Sequence, residues 1–328
     1  MMNMPTRVAV VIIGRNEGDR LLRCLQSLTE QVTQLVYVDS GSADDSVNLA
    51  RSMGAEVVAL DMTIPFTAAR ARNEGFERMR KLYPYAEYVQ FVDGDCEVIA
   101  TWLESAVTFL DAQPDVAAVC GRRRERYPNK TTYNMLCDNE WNTPIGDAKA
   151  CGGDAMMRVI AFENMQGFRA DLIAGEEPEL CVRFRASGWK IWRLDQEMTL
   201  HDAAMTKFSQ WWKRTMRAGH AFAEGAYLHG APPERHWVNE SRRAWIWGLG
   251  IPLIALLVGF INFKWGMLCL LIYPIQVIRL GRRNSAQGKH SWVMAFFLVL
   301  GKFPEMLGQI KFFQRLFSGK QVKLIEYK

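Results

Sequence analysis

The sequence predicts an α/β domain with a parallel, doubly wound sheet, followed by an apolar helical region. In the first 120 residues, short apolar runs alternate with segments of helical periodicity, which is typical of parallel strands joined by crossing helices. From Trp245 to Phe263 the chain is almost wholly apolar and approaches the length of about 20 residues that spans a bilayer. The 328 residues are sufficient for about two domains.

The elements of the first region follow from local pattern. Val8–Ile13 is a continuous apolar run, as expected of a strand covered on both faces. Ser42 followed three residues later by Asp45 is a capping-box variant, and Gly54 is a favoured residue for ending a helix. The predicted strands are Val8–Ile13, Leu35–Val38, Ala55–Leu60, Tyr88–Val92 and Val116–Cys120. The predicted helices are one carrying Leu21, Leu25 and Leu28, then Ser42–Met53, Ala68–Lys81 and Trp102–Leu110.

Composition limits the class of protein. The net charge of +5 is mild, and the seven cysteines form no Cys-x-x-Cys pair. An odd number of scattered cysteines indicates a reducing compartment with free thiols and argues against a zinc site. The first seven residues lead directly into the Val8–Ile13 run, so we expect no secretory signal.

Asp93-Gly94-Asp95 follows directly after the apolar run Tyr88–Val92. In an extended chain residues i and i+2 point to the same side, so both carboxylates can face one cation. Mg²⁺ or Mn²⁺ is usually held by one or two carboxylates and by substrate phosphates. The alternative is an ordinary turn, because Asp-Gly is a common loop dipeptide.

Two further strand ends carry polar clusters, namely Arg15-Asn16-Glu17 and Asp39-Ser40-Gly41-Ser42. Since the carboxyl ends of parallel strands open onto one crevice, we expect these clusters to converge with Asp93-Gly94-Asp95. The chain has no G-x-G-x-x-G after the first strand and no G-x-x-x-x-G-K-[ST]. The common dinucleotide and P-loop sites are therefore not expected.

These motifs, with three others, resemble those of family 2 glycosyltransferases of the GT-A fold. The resemblance covers about residues 6–220 and keeps the family's motif order. Its motifs are Val8–Glu17, Val38–Asp44, Arg70-Ala71-Arg72-Asn73, Asp93-Gly94-Asp95, Cys151-Gly152-Gly153-Asp154 and Gly175–Leu180. It implies a Rossmann-like, mostly parallel sheet with helices on both faces.

The resemblance also implies roles for individual residues. A nucleotide-diphosphate sugar would bind at Ile13, Arg15, Glu17, Asp39, Arg72, Asp93 and Gly94. Mg²⁺ or Mn²⁺ would be held by Asp93, Asp95 and His201. The acceptor would lie along Gly152, Gly153 and Trp211.

The same resemblance places the general base at Glu177 or Glu176, where the family has Glu-Asp. Glu177 precedes Pro178, which biases it to an extended conformation, so we expect Glu177 to be the N-cap of a helix that runs through Arg185. The alternative is that Glu176, Glu177 and Glu179 only favour the positive end of the helix dipole.

Two other segments admit two interpretations each. Trp211 and its basic neighbours could close over the sugar or pack at a membrane interface. The basic run Arg122–Arg126 could meet a phosphorylated acceptor or form a solvated loop.

The C-terminal region predicts membrane association. Trp245–Phe263 and Gly266–Ile278 form a predicted hairpin with arginines at both ends, which favours a cytoplasmic position for both ends. Trp292–Leu300 is too short to span alone, and with the lysines that follow it suggests a basic element at the membrane surface. Alternatively, all these segments are core or interfacial helices of a soluble or peripheral protein.

Together these features predict a catalytic domain over residues 1–225 and a membrane-associated helical region over 226–328. The expected activity is metal-dependent, inverting sugar transfer to a lipid-linked or growing polysaccharide acceptor, at the cytoplasmic face of the inner membrane. No nucleic acid partner is expected. The alternatives are a polyprenyl-phosphate sugar transferase and a non-catalytic, sugar-nucleotide-binding scaffold subunit.

Overall fold

The computed structural model describes residues 7–283, 288 and 290–318, and the chain divides into two compact units after Ala204. The sequence predicted a boundary near residue 225. The division lies earlier because the helix Phe208–His229 packs within the second unit, along the helix Lys302–Ser318.

The first unit alternates strands and helices as predicted. Its strands are β1 (Val8–Gly14), β2 (Leu35–Asp39), β3 (Glu56–Ala59), β4 (Tyr88–Asp93), β5 (Cys96–Val98), β6 (Val116–Glu125), β7 (Gly146–Asp147), β8 (Ala155–Arg158) and β9 (Lys190–His201). Its helices are α1 (Asp19–Thr29), α2 (Ser46–Ser52), α3 (Ala68–Leu82), α4 (Trp102–Ala112), α5 (Thr132–Glu140), α6 (Val159–Asn164) and α7 (Glu176–Ala186).

All nine strands of this unit belong to one sheet, in the order β3-β2-β1-β4-β8-β6-β9-β5, with β7 paired to β9. Strands β3, β2, β1 and β4 are parallel, as are β6 and β9. Strand β8 is antiparallel to β4 and β6, and β5 is antiparallel to β9. The predicted mostly parallel, Rossmann-like architecture is confirmed, although the sheet is mixed rather than uniformly parallel.

Helix α3 lies close against the centre of this sheet at Gly75. A Cβ atom on Gly75 would be 2.4 Å from Val11 Cγ1 and 2.8 Å from Val38 Cγ2. Both valines are fully buried in β1 and β2. The absence of a side chain at residue 75 therefore sets the distance between α3 and the two central strands.

Two predicted helix starts are wrong. Helix α2 begins at Ser46, and Ser42 instead accepts a hydrogen bond from the Asn16 backbone N–H at 2.9 Å. Helix α7 begins at Glu176 with Gly175 as its N-cap, so Glu177 lies inside the helix. Gly175 has a φ of 85°, a conformation that glycine adopts readily, and this turn starts the helix two residues before Pro178.

The second unit is helical in the part of it that the structure describes. Its helices are α8 (Phe208–His229), α9 (Val238–Trp245), α10 (Ile251–Ile261), α11 (Phe263–Leu270), α12 (Ile272–Arg283), α13 (His290–Leu300) and α14 (Lys302–Ser318), with a π-helical turn at Ile246–Gly250. Helices α8 and α14 approach closely through glycines. A Cβ on Gly219 would be 2.0 Å from the Glu305 carbonyl oxygen, and one on Gly308 would be 2.0 Å from that of Met216.

Among the described residues, three continuous helices are long and apolar enough to cross a membrane, by length and composition: Val238–Ile261, Phe263–Arg283 and His290–Ser318. The predicted hairpin corresponds to the first two, which meet at Asn262. Its apolar tip is exposed, with Ile261 88% and Phe263 74% accessible. We expected Trp292–Leu300 to be too short to span a membrane alone. In the structure α13 continues into α14, so the helix that contains this segment is long enough by length and composition.

Candidate active site

The three polar clusters at the strand ends converge, as expected. The Gly94 N–H donates to the Ile13 carbonyl at 2.8 Å, which joins the loop after β4 to the end of β1. The Ala43 N–H donates to Asn16 Oδ1 at 2.7 Å, which joins the loops after β1 and β2. One edge of the sheet therefore carries all three clusters.

The β1 loop lies over the central glycine of Asp93-Gly94-Asp95. A Cβ on Gly94 would be 3.2 Å from the Ile13 carbonyl oxygen and 3.3 Å from Glu17 Cγ. The Glu17 carboxylate is paired with Arg20 at 2.8 Å, whereas Arg15 is exposed. A side chain at residue 94 would therefore require these neighbours to shift by a few tenths of an ångström.

Asp39 is 4% exposed and shapes the loop that follows it. Its Oδ2 accepts the backbone N–H groups of Gly41 at 3.0 Å and Ser42 at 2.9 Å. The Tyr37 hydroxyl donates to Oδ1 at 3.3 Å, and burial, with the adjacent Asp39 charge, raises the pKa of Tyr37 so that it stays protonated. A carboxylate oxygen has room for more than one donor, so Oδ1 can also accept a ligand donor.

Asp93 lies between two arginines. Arg72 Nη2 is 2.7 Å from Oδ1, and Arg123 Nη2 is 3.1 Å from Oδ2. Burial acts to raise the pKa of Asp93, but the two guanidinium charges outweigh it and hold the pKa below its ordinary value. Arg72 also donates to Glu176 Oε1 at 2.7 Å, and thus joins Asp93 to the start of α7.

Asp95 and His201 are in contact, with Oδ2 and Nε2 3.2 Å apart. They meet because β5 pairs antiparallel with β9 and places Cys96 opposite His201. Ligand atoms of Asp95, Cys96 and His201 all lie within 4.8 Å of one another. A carboxylate oxygen beside an imidazole nitrogen fits Mg²⁺ or, better, Mn²⁺, because imidazole suits the transition metal.

The double glycine of the fifth motif lies against the arginine that holds Asp93. A Cβ on Gly153 would be 2.6 Å from Arg72 Nη2 and 3.4 Å from Asp93 Oδ2. Gly152 has a φ of +83°, which a side chain would strain. The backbone of this loop thus comes close to the Asp93 carboxylate without a side chain in between.

The acidic residues of α7 have three different environments. Glu176 is paired with Arg72. Glu177 is 5% exposed, and its Oε1 accepts the Cys151 N–H at 2.5 Å and the Cys181 thiol at 3.0 Å. Glu179 is paired at 2.8 Å with Arg183, which also donates to the Gly167 carbonyl. Glu179 therefore ties α7 to a neighbouring loop, and Glu176 and Glu177 lie nearest to the predicted donor and acceptor loops.

The sequence of residues 9–165 matches the model of the glycosyl transferase family 2 domain. These residues contain the first three strand-end clusters and the double-glycine loop. This match to a glycosyltransferase family 2 domain covers just under half of the chain.

Curated relatives align with part of the length of this chain. Glycosyltransferase AglE of Haloferax volcanii is 25% identical over 65% of this chain and 71% of its own. A TPR repeat-containing protein of Synechococcus elongatus is 29% identical over 40% of this chain. The chain spans only 30% of the length of that second relative.

Solved structures share the fold of this chain. Mannosyltransferase PcManGT from Pyrobaculum calidifontis, in complex with GDP-Man and Mn²⁺, superposes with a TM-score of 0.60. The superposition covers 92% of this chain and 87% of the other, at 18% sequence identity. The GT-A fold expected from the motifs is therefore confirmed.

Two residues around the site, Asp154 and Trp141, were given no role from the sequence. Asp154 is fully buried, accepts the Asp93 N–H at 3.0 Å, and is 3.3 Å from Arg123 Nε. The Trp141 ring lies 5.0 Å from the Arg123 guanidinium carbon and 4.6 Å from the His201 ring. Asp154 is the last residue of the double-glycine motif, so the motif could have indicated it. No local sequence motif distinguishes Trp141.

The basic run Arg122–Arg126 is not a loop, because its first four residues belong to β6. Arg122 is paired with Asp138 at 3.0 Å, Arg124 with Glu197 at 2.6 Å, and Arg126 with Glu97. Arg123 faces Asp93 and Asp154. Each of these four arginines has a carboxylate partner, and a role of the run toward a phosphorylated acceptor stays a prediction.

Trp211 belongs to the second unit. Its ring packs edge-on against Phe297 at 4.8 Å and lies 5.4 Å from Phe208. It is 6% exposed, so it contributes to the packing of α8 against α13. Its role toward an acceptor stays a prediction.

Proposed function

We propose that this protein transfers a sugar from a nucleotide-diphosphate sugar to an acceptor, with a divalent cation and with inversion at the anomeric carbon. The observation that carries the proposal is the contact between Asp95 and His201 at the edge where the strand-end clusters converge. A sugar-nucleotide transferase needs hard cation ligands at the place where the diphosphate binds.

The donor and its cation would occupy the loops after β1, β2 and β4. Asp95 and His201 would hold Mg²⁺ or Mn²⁺, which when bound supplies Lewis-acid stabilisation of the leaving diphosphate. Asp39, with the loop that it orders, would bind the nucleoside. Arg72 and Arg123 are the cationic side chains beside Asp93 and would face the phosphate charge.

The acceptor would approach along Gly152 and Gly153, with Glu177 taking the proton of its hydroxyl. Glu177 suits a base better than Glu176, because the Glu176 carboxylate is already held in an ion pair by the Arg72 guanidinium. One carboxylate base and no second nucleophile favour a single displacement, and hence inversion.

A lipid phosphate as acceptor is the second candidate, and the burial of Glu177 favours it. Its Oε1 already accepts two hydrogen bonds inside the domain, and a phosphate acceptor needs no base to remove a proton. The three long apolar helices support a membrane-associated acceptor in both cases. We propose that the protein acts at the cytoplasmic face of the inner membrane.

The test is donor turnover with and without the cation. We expect Mn²⁺ or Mg²⁺ to stimulate release of nucleoside diphosphate from a donor, and Asp95→Ala to abolish the stimulation while thermal unfolding changes little. Asp171→Ala, an exposed aspartate of the same unit, is the control and should turn over normally. A wild-type protein that releases no nucleoside diphosphate from any donor would favour the scaffold function. Near-normal turnover in Asp95→Ala would refute the metal assignment.

A further inference from the structure

A second group of potential metal ligands lies between the double-glycine loop and α7. Cys151 Sγ and Cys181 Sγ are 3.7 Å apart, and Cys181 Sγ is 3.0 Å from Glu177 Oε1. Ligand atoms of all three residues lie within 4.8 Å of one another. Cys151 and Cys181 are 30 residues apart in the chain, so no spacing motif reveals the pair.

The sulfur separation matches that of a tetrahedral zinc site. Zinc–sulfur bonds of about 2.3 Å at a tetrahedral angle place two sulfurs roughly 3.8 Å apart. The observed 3.7 Å needs almost no movement of either side chain. Two thiolates and one carboxylate leave the fourth position for water, which is a common zinc arrangement.

The charge of the cluster points to a cation as well. Glu177 is 5% exposed, and it has no salt-bridge partner among residues 7–283, 288 and 290–318, whereas Glu176 and Glu179 each have an arginine. A buried carboxylate without a cation is costly, and a bound metal ion would compensate its charge. The two sulfurs are 6% and 0% exposed by residue, so the site excludes most solvent.

We infer that Cys151, Cys181 and Glu177 form a binding site for a thiophilic divalent cation of the Zn²⁺ class. Binding deprotonates both thiols, releases two protons to solvent and forms two metal–sulfur bonds and one metal–oxygen bond. This site differs in chemistry from the group of Asp95, Cys96 and His201, because it offers two sulfur ligands rather than one, and sulfur ligands select softer metals than Mg²⁺. If Glu177 is the base, which rests on the proposed function, occupancy removes the base and stops transfer to a hydroxyl.

The experiment uses Co²⁺ as a spectroscopic probe on the reduced, chelator-treated full chain in detergent. We expect thiolate-to-cobalt charge-transfer absorption with a stoichiometry of one, together with tetrahedral visible bands, and we expect Zn²⁺ to displace the cobalt. Cys151→Ser and Cys181→Ser should each lose the absorption. Cys137→Ser, a buried cysteine in α5, is the matched control and should keep it.

Two results would overturn the inference: no thiolate–cobalt absorption in the wild type, or the same absorption in both cysteine variants. Circular dichroism and thermal unfolding check that each variant is folded, and Cys181→Ala replaces Cys181→Ser if the latter fails to fold. Asp95→Ala should retain the absorption, which separates this site from the proposed Mn²⁺ site. Absorption that persists in a protein without donor turnover would support the cysteine site and refute only the proposed function.

Discussion

Arg72 and Arg123 organise the candidate site through ion pairs inside the domain. Arg72 is 3% exposed and joins Asp93 to Glu176, while Arg123 joins Asp93 to Asp154. Buried charges of this kind are tolerated only when each has its partners, so removal of one member leaves another uncompensated. The ion pairs therefore hold the loop after β4, the double-glycine loop and α7 in one arrangement.

Glu177 is the proposed general base for transfer to a hydroxyl acceptor. If a saccharide hydroxyl is the acceptor, Glu177→Gln should reduce sugar transfer by about 10²–10⁴-fold, which is the usual loss when a general base is removed. Donor affinity should change little, because the proposed donor contacts are at Asp39, Asp95 and His201. Sugar transfer and nucleotide affinity would be measured for both the variant and the wild type.

Glu179→Gln is the matched control for this prediction. Its carboxylate is paired with Arg183 and lies away from Arg72, so we expect lower stability and nearly normal transfer. A larger loss of transfer in Glu179→Gln would move the role of base to Glu179. Normal transfer in both Glu177→Gln and Glu176→Gln would indicate the lipid-phosphate acceptor.

Glycines decide how the elements pack, and Gly75 is the clearest case in the first unit. Gly75→Ala puts a methyl group 2.4 Å from Val11 Cγ1. We expect a net loss of about 1–2 kcal/mol in the free energy of unfolding, because overpacking costs typically 1–3 kcal/mol and the better helix propensity of alanine returns up to about 1 kcal/mol. Urea unfolding of the variant and of the wild type measures this loss of stability.

The control for Gly75→Ala is Glu77→Ala, on the exposed face of the same helix. This change should alter stability by no more than about 0.5 kcal/mol, as is usual for surface substitutions. Equal stability of the two variants would show that α3 can move away from the sheet at little cost.

In the second unit, His220 is fully buried where α8 packs on α14. Its Nδ1 is 3.5 Å from Glu224 Oε2, and the Glu224 carboxylate is itself paired with Arg315 at 3.1 Å. Burial, with the positive charges of Arg315, Arg217 and Lys311, lowers the pKa of His220 to about 4. The imidazole is therefore neutral in the folded protein at pH 7.

This burial predicts a pH dependence of stability. Between about pH 6.5 and 4 the unfolded chain binds the His220 proton and the folded chain does not, so stability falls as the pH falls, by up to ~1.4 kcal/mol per pH unit. Unfolding in detergent at several pH values measures the slope. His220→Gln should flatten it, and His229→Gln, on the same helix, should not. An unchanged slope in His220→Gln would contradict the assignment.

For the whole molecule, the division after Ala204 makes this residue a better point than Glu240 at which to truncate the chain. Truncation after Glu240 keeps α8 but removes α14, so the buried face of α8, including Trp211 and Ala221, would be exposed. We expect truncation after Ala204 to give a soluble domain that binds nucleoside diphosphate with Mn²⁺, because every proposed donor residue precedes that point. A thermal-shift assay detects the binding.

The matched comparison is the chain cut after Glu240, which should be less soluble than the one cut after Ala204. The full-length protein should fractionate with membranes and need detergent for release. Failure of the shorter fragment to fold would show that the second unit completes the core of the first. A full-length protein that is soluble without detergent would contradict the membrane association.

The alternation of strands and helices, the polar strand ends and the apolar C-terminal region could be predicted from the amino-acid sequence. They depend on hydrophobic patterns and short motifs that are local in the chain. Which side chains meet became known from the folded structure. The pairing of β5 with β9 brings His201 to Asp95, and the left-handed Gly175 starts α7 early and turns Glu177 toward Cys151 and Cys181. Such contacts join residues far apart in the chain, and they depend on strand register and on single backbone angles that no local pattern specifies.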